Sequence, residues 1–225
     1  MISHWQVPFM MLGAYLLGSI PFGLVVSRLK GVDIRKHGSG NLGATNVGRV
    51  LGRRWGILVL LLDAMKGATS SIGTSVFLNH GNFVSGSLDP TTRDLIWLGT
   101  GVCCVIGSIA PVYLRFRGGK GVAATLGVIL GIYPYLTLPA VVSITLWAMV
   151  LGITRYVSLS SIIAVAILPL AFLVFSWREN WPLNQHYPLL CLTVAMTFVI
   201  VFRHRGNIRR LLAGTENKVG NAGNA

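Results

Sequence analysis

The chain has 225 residues, 53% apolar and 11% charged, with 19 Lys and Arg against 6 Asp and Glu and a net charge of +13. A typical soluble domain is about 25% charged, so this composition, with a mean hydropathy of +0.67, excludes an ordinary soluble globule and a disordered chain and indicates a polytopic membrane protein. The cationic excess suits anionic lipid or an anionic substrate better than nucleic acid, because few residues remain outside the lipid.

Charged side chains delimit six long uncharged runs, 1–27, 67–88, 95–114, 121–154, 156–177 and 180–202. A spanning helix needs about 20 apolar residues at 1.5 Å each. Five runs fit one helix apiece. The second helix starts earlier, near Trp55, which places Asp63 and Lys66 inside it and leaves Leu78–Leu88 as loop. As one helix, the run 121–154 would measure about 51 Å against a hydrocarbon core of about 30 Å. Two helices of about 17 residues each, turning near Pro134 and Pro139, solve this. The segments 28–54 and 115–120, Arg155, and the tail from Arg203 then share one side of the membrane and hold sixteen of the nineteen Lys and Arg. The positive-inside rule makes that side cytosolic.

The expected fold is therefore all-α, a single seven-helix membrane domain over residues 1–218 with cytosolic Gly-rich loops. The N-terminus lies outside, the C-terminus is cytosolic, and 219–225 form a disordered tail. The N-terminus has neither a positive n-region nor an A-x-A site, so it does not read as a signal peptide. Cys103, Cys104 and Cys191 sit in apolar runs and read as small core residues, neither disulfide nor metal ligands. His4, His80 and His186 fall on the outside, and His37 precedes a glycine loop. None of the histidines has metal-ligand spacing, so no metal and no cofactor is expected.

Three cytosolic segments carry polar chemistry. The first runs from Gly38 to Arg49, GSGNLGATNVGR. Its Gly and Ser backbone N–H groups can turn toward one anion while Arg49 supplies a bidentate fork. Ser39, Gly40, Asn41, Thr45, Asn46 and Arg49 are its candidate binding residues. Gly38, Gly40 and Gly43, with Asp63 downstream, spell the dinucleotide fingerprint in letters, but membrane helices flank them where a βαβ unit is required. The second segment is RFRGGKG, residues 115–121, leading into a helix. It is not a P-loop, since Gly121 follows Lys120 where Ser or Thr is needed. Gly118, Gly119 and Lys120 still put backbone N–H groups and a point charge at a helix N-terminus, where phosphate binds. The third is RHRGNIRR, residues 203–210, followed by Glu216. On a continuing helix Arg203, His204, Asn207 and Ile208 fall close together. The plainer alternative is an interfacial basic helix on anionic lipid. Asp63 and Lys66, three apart, are expected to form a structural ion pair within the span. Ser158 follows Arg155 on the cytosolic side.

Together these segments resemble the integral-membrane acyl-phosphate:glycerol-3-phosphate acyltransferases of bacteria, which carry a GSGN-x-G-x-TN-x-x-R loop, a GGKG loop and an H-x-x-N element in a basic C-terminal helix. The D-x-x-K-G of the second span and the segment Tyr156-Val157-Ser158-Leu159 fit as well, so the resemblance covers Gly13 to about Lys218. It departs from the family pattern at Leu42, where proline is frequent, at Ser108, where histidine is frequent, and at Ala124, where threonine is usual. The resemblance implies a seven-helix bundle in the cell inner membrane with a cytosolic active site. It also implies acyl transfer from acyl phosphate to the 1-hydroxyl of sn-glycerol 3-phosphate, giving lysophosphatidic acid and phosphate. By the same token glycerol phosphate is placed on Ser39, Arg49, Lys120 and Ser158, and acyl phosphate on His204, Asn207 and the glycine-loop backbone. Lys120 bridges both phosphates, and the fatty tail lies against membrane lipid. Arg203 and Glu216 complete the binding set. The competing readings are a transporter of an organic phosphate, an inactive lipid-binding paralogue and an acyl-CoA-dependent enzyme. A common class of the last uses H-x-x-x-x-D, a spacing that none of the five histidines has.

Overall fold

The computed structural model describes residues 5–80 and 88–219. His4, most of the predicted loop 78–88 and the predicted tail beyond Val219 lie outside these. Among the described residues there are ten α-helices and no strand. Six segments are long and apolar enough to cross a membrane: Gln6–Leu29, Arg53–Leu78, Pro90–Leu114, Thr137–Thr154, Val157–Arg178 and Leu183–Arg203. The chain divides into two compact units, Met1–Tyr133 and Pro134–Ala225.

In the first unit the opening span is two helices, α1 (Gln6–Gly18) and α2 (Phe22–Leu29). Pro21 breaks it, lacking an N–H and pushing Ile20 out of the helical region. Polar side chains bond to the backbone on either side of the break. The Ser19 hydroxyl donates to the Tyr15 carbonyl at 2.8 Å, and the Lys66 ammonium donates to the Ile20 carbonyl at 3.1 Å. Lys66 comes from α4 (Arg53–His80), where it also pairs with Asp63 at 2.8 Å. A short 3-10 turn (Ile34–Lys36) and α3 (Ala44–Leu51) precede α4. The helix runs to His80, so residues 78–80 are helical and the predicted loop starts later.

α5 (Pro90–Ile109) opens with Asp89 accepting the Thr92 N–H at 2.9 Å and Pro90 in the first turn. That is the usual pairing of an acidic cap with a proline whose missing N–H has no partner to lose. α6 (Val122–Gly131) lies against α4 at a separation that only glycine allows. A Cβ on Gly67 would overlap the Ala124 carbonyl oxygen, and one on Gly127 would overlap that of Ala64. Small residues facing each other let membrane helices pack backbone to backbone.

The second unit contains α7 (Thr137–Thr154), α8 (Val157–Arg178), α9 (Leu183–Arg203) and α10 (Arg205–Leu212). Leu168, Phe172, Leu189 and Ile200 form its buried centre. Polar ties cross between the helices, from Trp147 Nε1 to Ser161 Oγ at 3.2 Å and from Thr197 Oγ1 to the Val165 carbonyl at 2.6 Å. Cys191 is exposed on α9, and Cys103 is only partly buried, against the expectation of core positions for both.

The run 121–154 divides unevenly, into α6 of 10 residues and α7 of 18. α6 ends ahead of Pro134, whereas Pro139 sits in the first turn of α7, where its missing N–H leaves no bond unmade. At about 15 Å, α6 is half the thickness of a hydrocarbon core. Length and composition therefore count six spans and one short apolar helix, and the predicted seventh crossing rests on α6.

Lys66→Met leaves the Asp63 carboxylate buried without its cation and the Ile20 carbonyl without its charged donor, the Phe22 N–H at 3.2 Å remaining. Removing one partner of a buried pair costs about 3–5 kcal/mol. In detergent, Lys66→Met is expected to melt well below the wild type, and Asp63→Asn/Lys66→Met to recover part of the loss. Additive losses in this cycle would dissolve the pair as a unit.

Candidate functional site

The glycine loop is organised from within by Asn46. Its side chain is buried, with Oδ1 accepting the Ser39 N–H at 2.8 Å. Nδ2 donates to the carbonyls of His37 at 3.0 Å and Asn41 at 2.9 Å, with that of Ile34 at 3.4 Å. Asn41 Oδ1 accepts the Gly43 N–H at 3.0 Å, closing an Asx turn just before α3. Both carboxamides thus shape the loop. Gly38 and Gly40 take positive φ, 58° and 68°. Outward face Ser39, Thr45 and Arg49, all exposed, with Thr45 and Arg49 one turn apart on α3. Ahead of the loop Asp33 accepts two bonds from the Arg35 guanidinium, at 2.9 and 2.7 Å. That hydrogen bonding holds the Asp33 carboxyl well below the usual carboxylate range.

The second loop folds back on the end of α5. The Gly118 N–H donates to the Ile109 carbonyl at 3.2 Å and the Gly119 N–H to that of Ser108 at 3.2 Å. These amides, which the sequence offered to phosphate, turn the chain instead. Gly118 cannot be replaced without conflict, since a Cβ there would meet the Pro111 ring. Arg115 and Phe116 both adopt left-handed backbone, φ 51° and 62°, which costs about 1–2 kcal/mol for residues other than glycine. The strained turn delivers half-buried Lys120 directly before the N-terminus of α6. Positive backbone charge at a helix start and an ammonium beside it form one cationic edge. Ala124, where threonine is usual in the resembling family, is 1% exposed and packs its carbonyl on Gly67. Ser108 contributes its carbonyl to the loop.

In the second unit the centre is the Glu216 carboxylate. Oε1 accepts from the Ser158 hydroxyl at 2.7 Å and from Asn207 Nδ2 at 2.6 Å, and Oε2 accepts from Arg210 Nε at 2.7 Å. An ionised carboxylate only accepts, so the Ser158 proton and the Asn207 amide are oriented toward it. The segment beyond α10 continues this contact. The Lys218 ammonium lies 5.2 Å from the centre of the Tyr156 ring, and the Val219 N–H donates to the Arg155 carbonyl at 2.8 Å.

His204 is 2% exposed. It stands at a corner between α9 and α10, so the continuing helix expected over 203–210 is broken there. The Ile208 N–H still reaches the His204 carbonyl at 2.9 Å, which keeps Asn207 within a turn of the ring. His204 Nδ1 lies 2.8 Å from the Ile200 carbonyl. A carbonyl can only accept, so Nδ1 carries the proton, and in the neutral ring Nε2 is the basic nitrogen. Arg203 is half-buried at the end of α9.

Burial raises the cost of the Glu216 charge, yet hydrogen bonds from Asn207, Ser158 and Arg210 outweigh it and hold the carboxyl below its ordinary value of 4.5. Arg210 is a member of this cluster that sequence reasoning missed. The available signal was that Glu216 is the only acid after Glu179, in a segment rich in arginine.

The model of the Glycerol-3-phosphate acyltransferase family matches residues 8–214. A Glycerol-3-phosphate acyltransferase of Pseudomonas syringae pv. tomato is 42% identical over 204 residues, covering 90% of this chain and 93% of the relative. One from Aquifex aeolicus is 38% identical over 210 residues, covering 93% and 97%. Among solved structures, PlsY (YgiH), an integral membrane glycerol 3-phosphate acyltransferase in its glycerol 3-phosphate form, aligns with a TM-score of 0.78 at 37% identity over 96% of each chain. Its lysophosphatidic acid form aligns with a TM-score of 0.76 at the same identity and coverage.

A folded-state pKa below the unfolded value means that Glu216 adds stability above the ordinary glutamate range and loses it as pH falls through that range. The melting-temperature gap between wild type and Glu216→Gln is expected to be widest near pH 7 and to narrow below about pH 4.5. A gap independent of pH, followed by thermal unfolding in detergent, would deny the carboxylate its charged role.

Proposed function

From the premise that this chain belongs to the glycerol-3-phosphate acyltransferase family, we propose that its donor is an acyl phosphate and its product 1-acyl-sn-glycerol 3-phosphate, made in the first acylation step of phospholipid synthesis. The glycerol 1-oxygen bonds to the acyl carbon, the acyl carbon–oxygen bond to phosphate breaks, and inorganic phosphate leaves. Such a donor is a mixed anhydride with a good leaving group, so no protein nucleophile is needed. What supports the acceptor and the product is the solved relative in its glycerol 3-phosphate and lysophosphatidic acid forms, each aligned over 96% of this chain. The residues add chemical sense. Ser39, Thr45 and Arg49 face outward from a loop pinned by Asn46 and take the acceptor's phosphate. Lys120, at the α6 N-terminus, neutralises charge that grows on the leaving phosphate. Two charges 4 Å apart interact by about 4 kcal/mol at an effective dielectric of 20, so a few such contacts suffice to hold and orient two phosphorylated substrates. His204 accepts the hydroxyl proton on Nε2, its other nitrogen being committed to the Ile200 carbonyl. Asn207, Ser158 and Glu216 fix the groups around it. The enzyme sits in the cell inner membrane with its N-terminus outside and its basic loops, chemistry and C-terminus on the cytosolic side.

Phosphate release by purified protein tests the donor. Palmitoyl phosphate with glycerol 3-phosphate is expected to release phosphate, and palmitoyl-CoA to release no thiol. Lys120→Ala should lower turnover about 10²–10³-fold, the loss typical of one group that stabilises developing charge. His204→Ala should lower it about 10²–10⁴-fold, the range for a general base. Thiol release from the CoA donor, or full turnover in either variant, would refute the assignment.

A further inference from the structure

α9 is long and apolar enough to span a membrane and ends at Arg203, and α10 begins after a one-residue corner. α10 therefore lies where the chain leaves the bilayer. It has eight residues and two unlike faces. One face buries His204 and Asn207. The other carries Arg205, Arg209 and Leu212, spaced four and three apart along one side of α10, with Phe202 of the last turn of α9 beside them. All four are exposed, Phe202 by 60% and Leu212 by 85%. The Arg205 guanidinium stands 4.6 Å from the centre of the Phe202 ring, so cation and apolar surface form one continuous patch. Glu216, the only acid after Glu179, is taken up by Ser158, Asn207 and Arg210.

We propose that this outer face docks on anionic phospholipid of the bilayer surface, with Phe202 and Leu212 in the headgroup–acyl boundary and Arg205 and Arg209 on lipid phosphates. Two basic residues on a short amphipathic helix, with Leu212 at its end and Phe202 just before its start, match such a surface in both polarity and charge. An anionic surface contributes about 1 kcal/mol for each nearby basic residue, and guanidinium pairs with phosphate through two parallel hydrogen bonds. Neither arginine belongs to the machinery assigned above, so the contact is separable from the chemistry.

Amide hydrogen exchange of residues 205–212 tests this in nanodiscs of phosphatidylcholine alone or mixed equally with phosphatidylglycerol, without substrates. Exchange is expected to slow about tenfold in the anionic discs. High salt should abolish the difference, because exposed charges are screened. Arg205→Lys/Arg209→Lys should keep most of it. Arg205→Gln/Arg209→Gln should lose it while exchange in α8 and α9 stays as in wild type. Equal exchange in the two discs overturns the proposal, as expected if the face is merely solvated or covered by a second copy. Equal slowing in the Gln variant overturns it as well. If the Gln variant fails to fold, the wild-type lipid and salt comparison decides alone.

Discussion

A buried ammonium holds the first membrane segment in its broken form. Between Gly18 and Phe22 the helix ladder stops, and within a bilayer a carbonyl released by such a break has no water to turn to. Lys66 answers that carbonyl from α4 and is itself paired with Asp63 three residues earlier. The Lys66 carbonyl in turn lies 3.6 Å from the Cys104 sulfur on α5. One residue therefore ties α1, α2, α4 and α5 to a common level, and the glycine contacts of Gly67 and Gly127 fix α6 to the same helix. The loops of the first unit emerge from elements so fixed, which is why a loop rich in glycine can still present Ser39, Thr45 and Arg49 in a defined array.

Both units follow one rule in dividing labour among polar groups. Some are spent internally to set shape, and the groups left facing outward are then mostly charges and hydroxyls. Asn46 and Asn41 are spent in the glycine loop, as are the amides of Gly118 and Gly119 in the next. In the second unit a single carboxylate does the equivalent work for Ser158, Asn207 and Arg210, and the Ile200 carbonyl does it for the His204 ring. An active site that handles phosphates needs fixed donors more than mobile ones, since reorganising dipoles during the reaction forfeits their stabilising effect.

Much of this was legible in the sequence because it is local. Charge-free runs located the spans, the i, i+3 spacing of Asp63 and Lys66 announced their pairing, and the glycine and arginine loops stood out by composition. What was not legible depends on distance along the chain. Ile20 and Lys66 are 46 residues apart, and Ser158 and Glu216 are 58 apart, so no periodicity relates them. The corner at His204 was missed because neither that residue nor Arg203 is a helix breaker. Its ring compensates for the interruption by bonding to the preceding turn. The uneven division of 121–154 was missed because two prolines were read as one signal, whereas one ends a helix and the other is admitted to a first turn. Spacing marked Asn46 as polar and near an anion site, but only the fold shows four backbone groups converging on it.

The position of Glu216 in the chain also has a meaning in time. It follows all six spans described, while Ser158, which it holds, comes 58 residues earlier. A ribosome adding about 5–20 residues per second separates the two by roughly 3–12 s. During that interval α8, α9 and α10 are themselves synthesised, and Ser158 and then Asn207 wait for their acceptor. Insertion into the membrane and completion of the polar cluster are thus successive events, and the cluster marks a chain whose translation has passed its last arginine-rich helix.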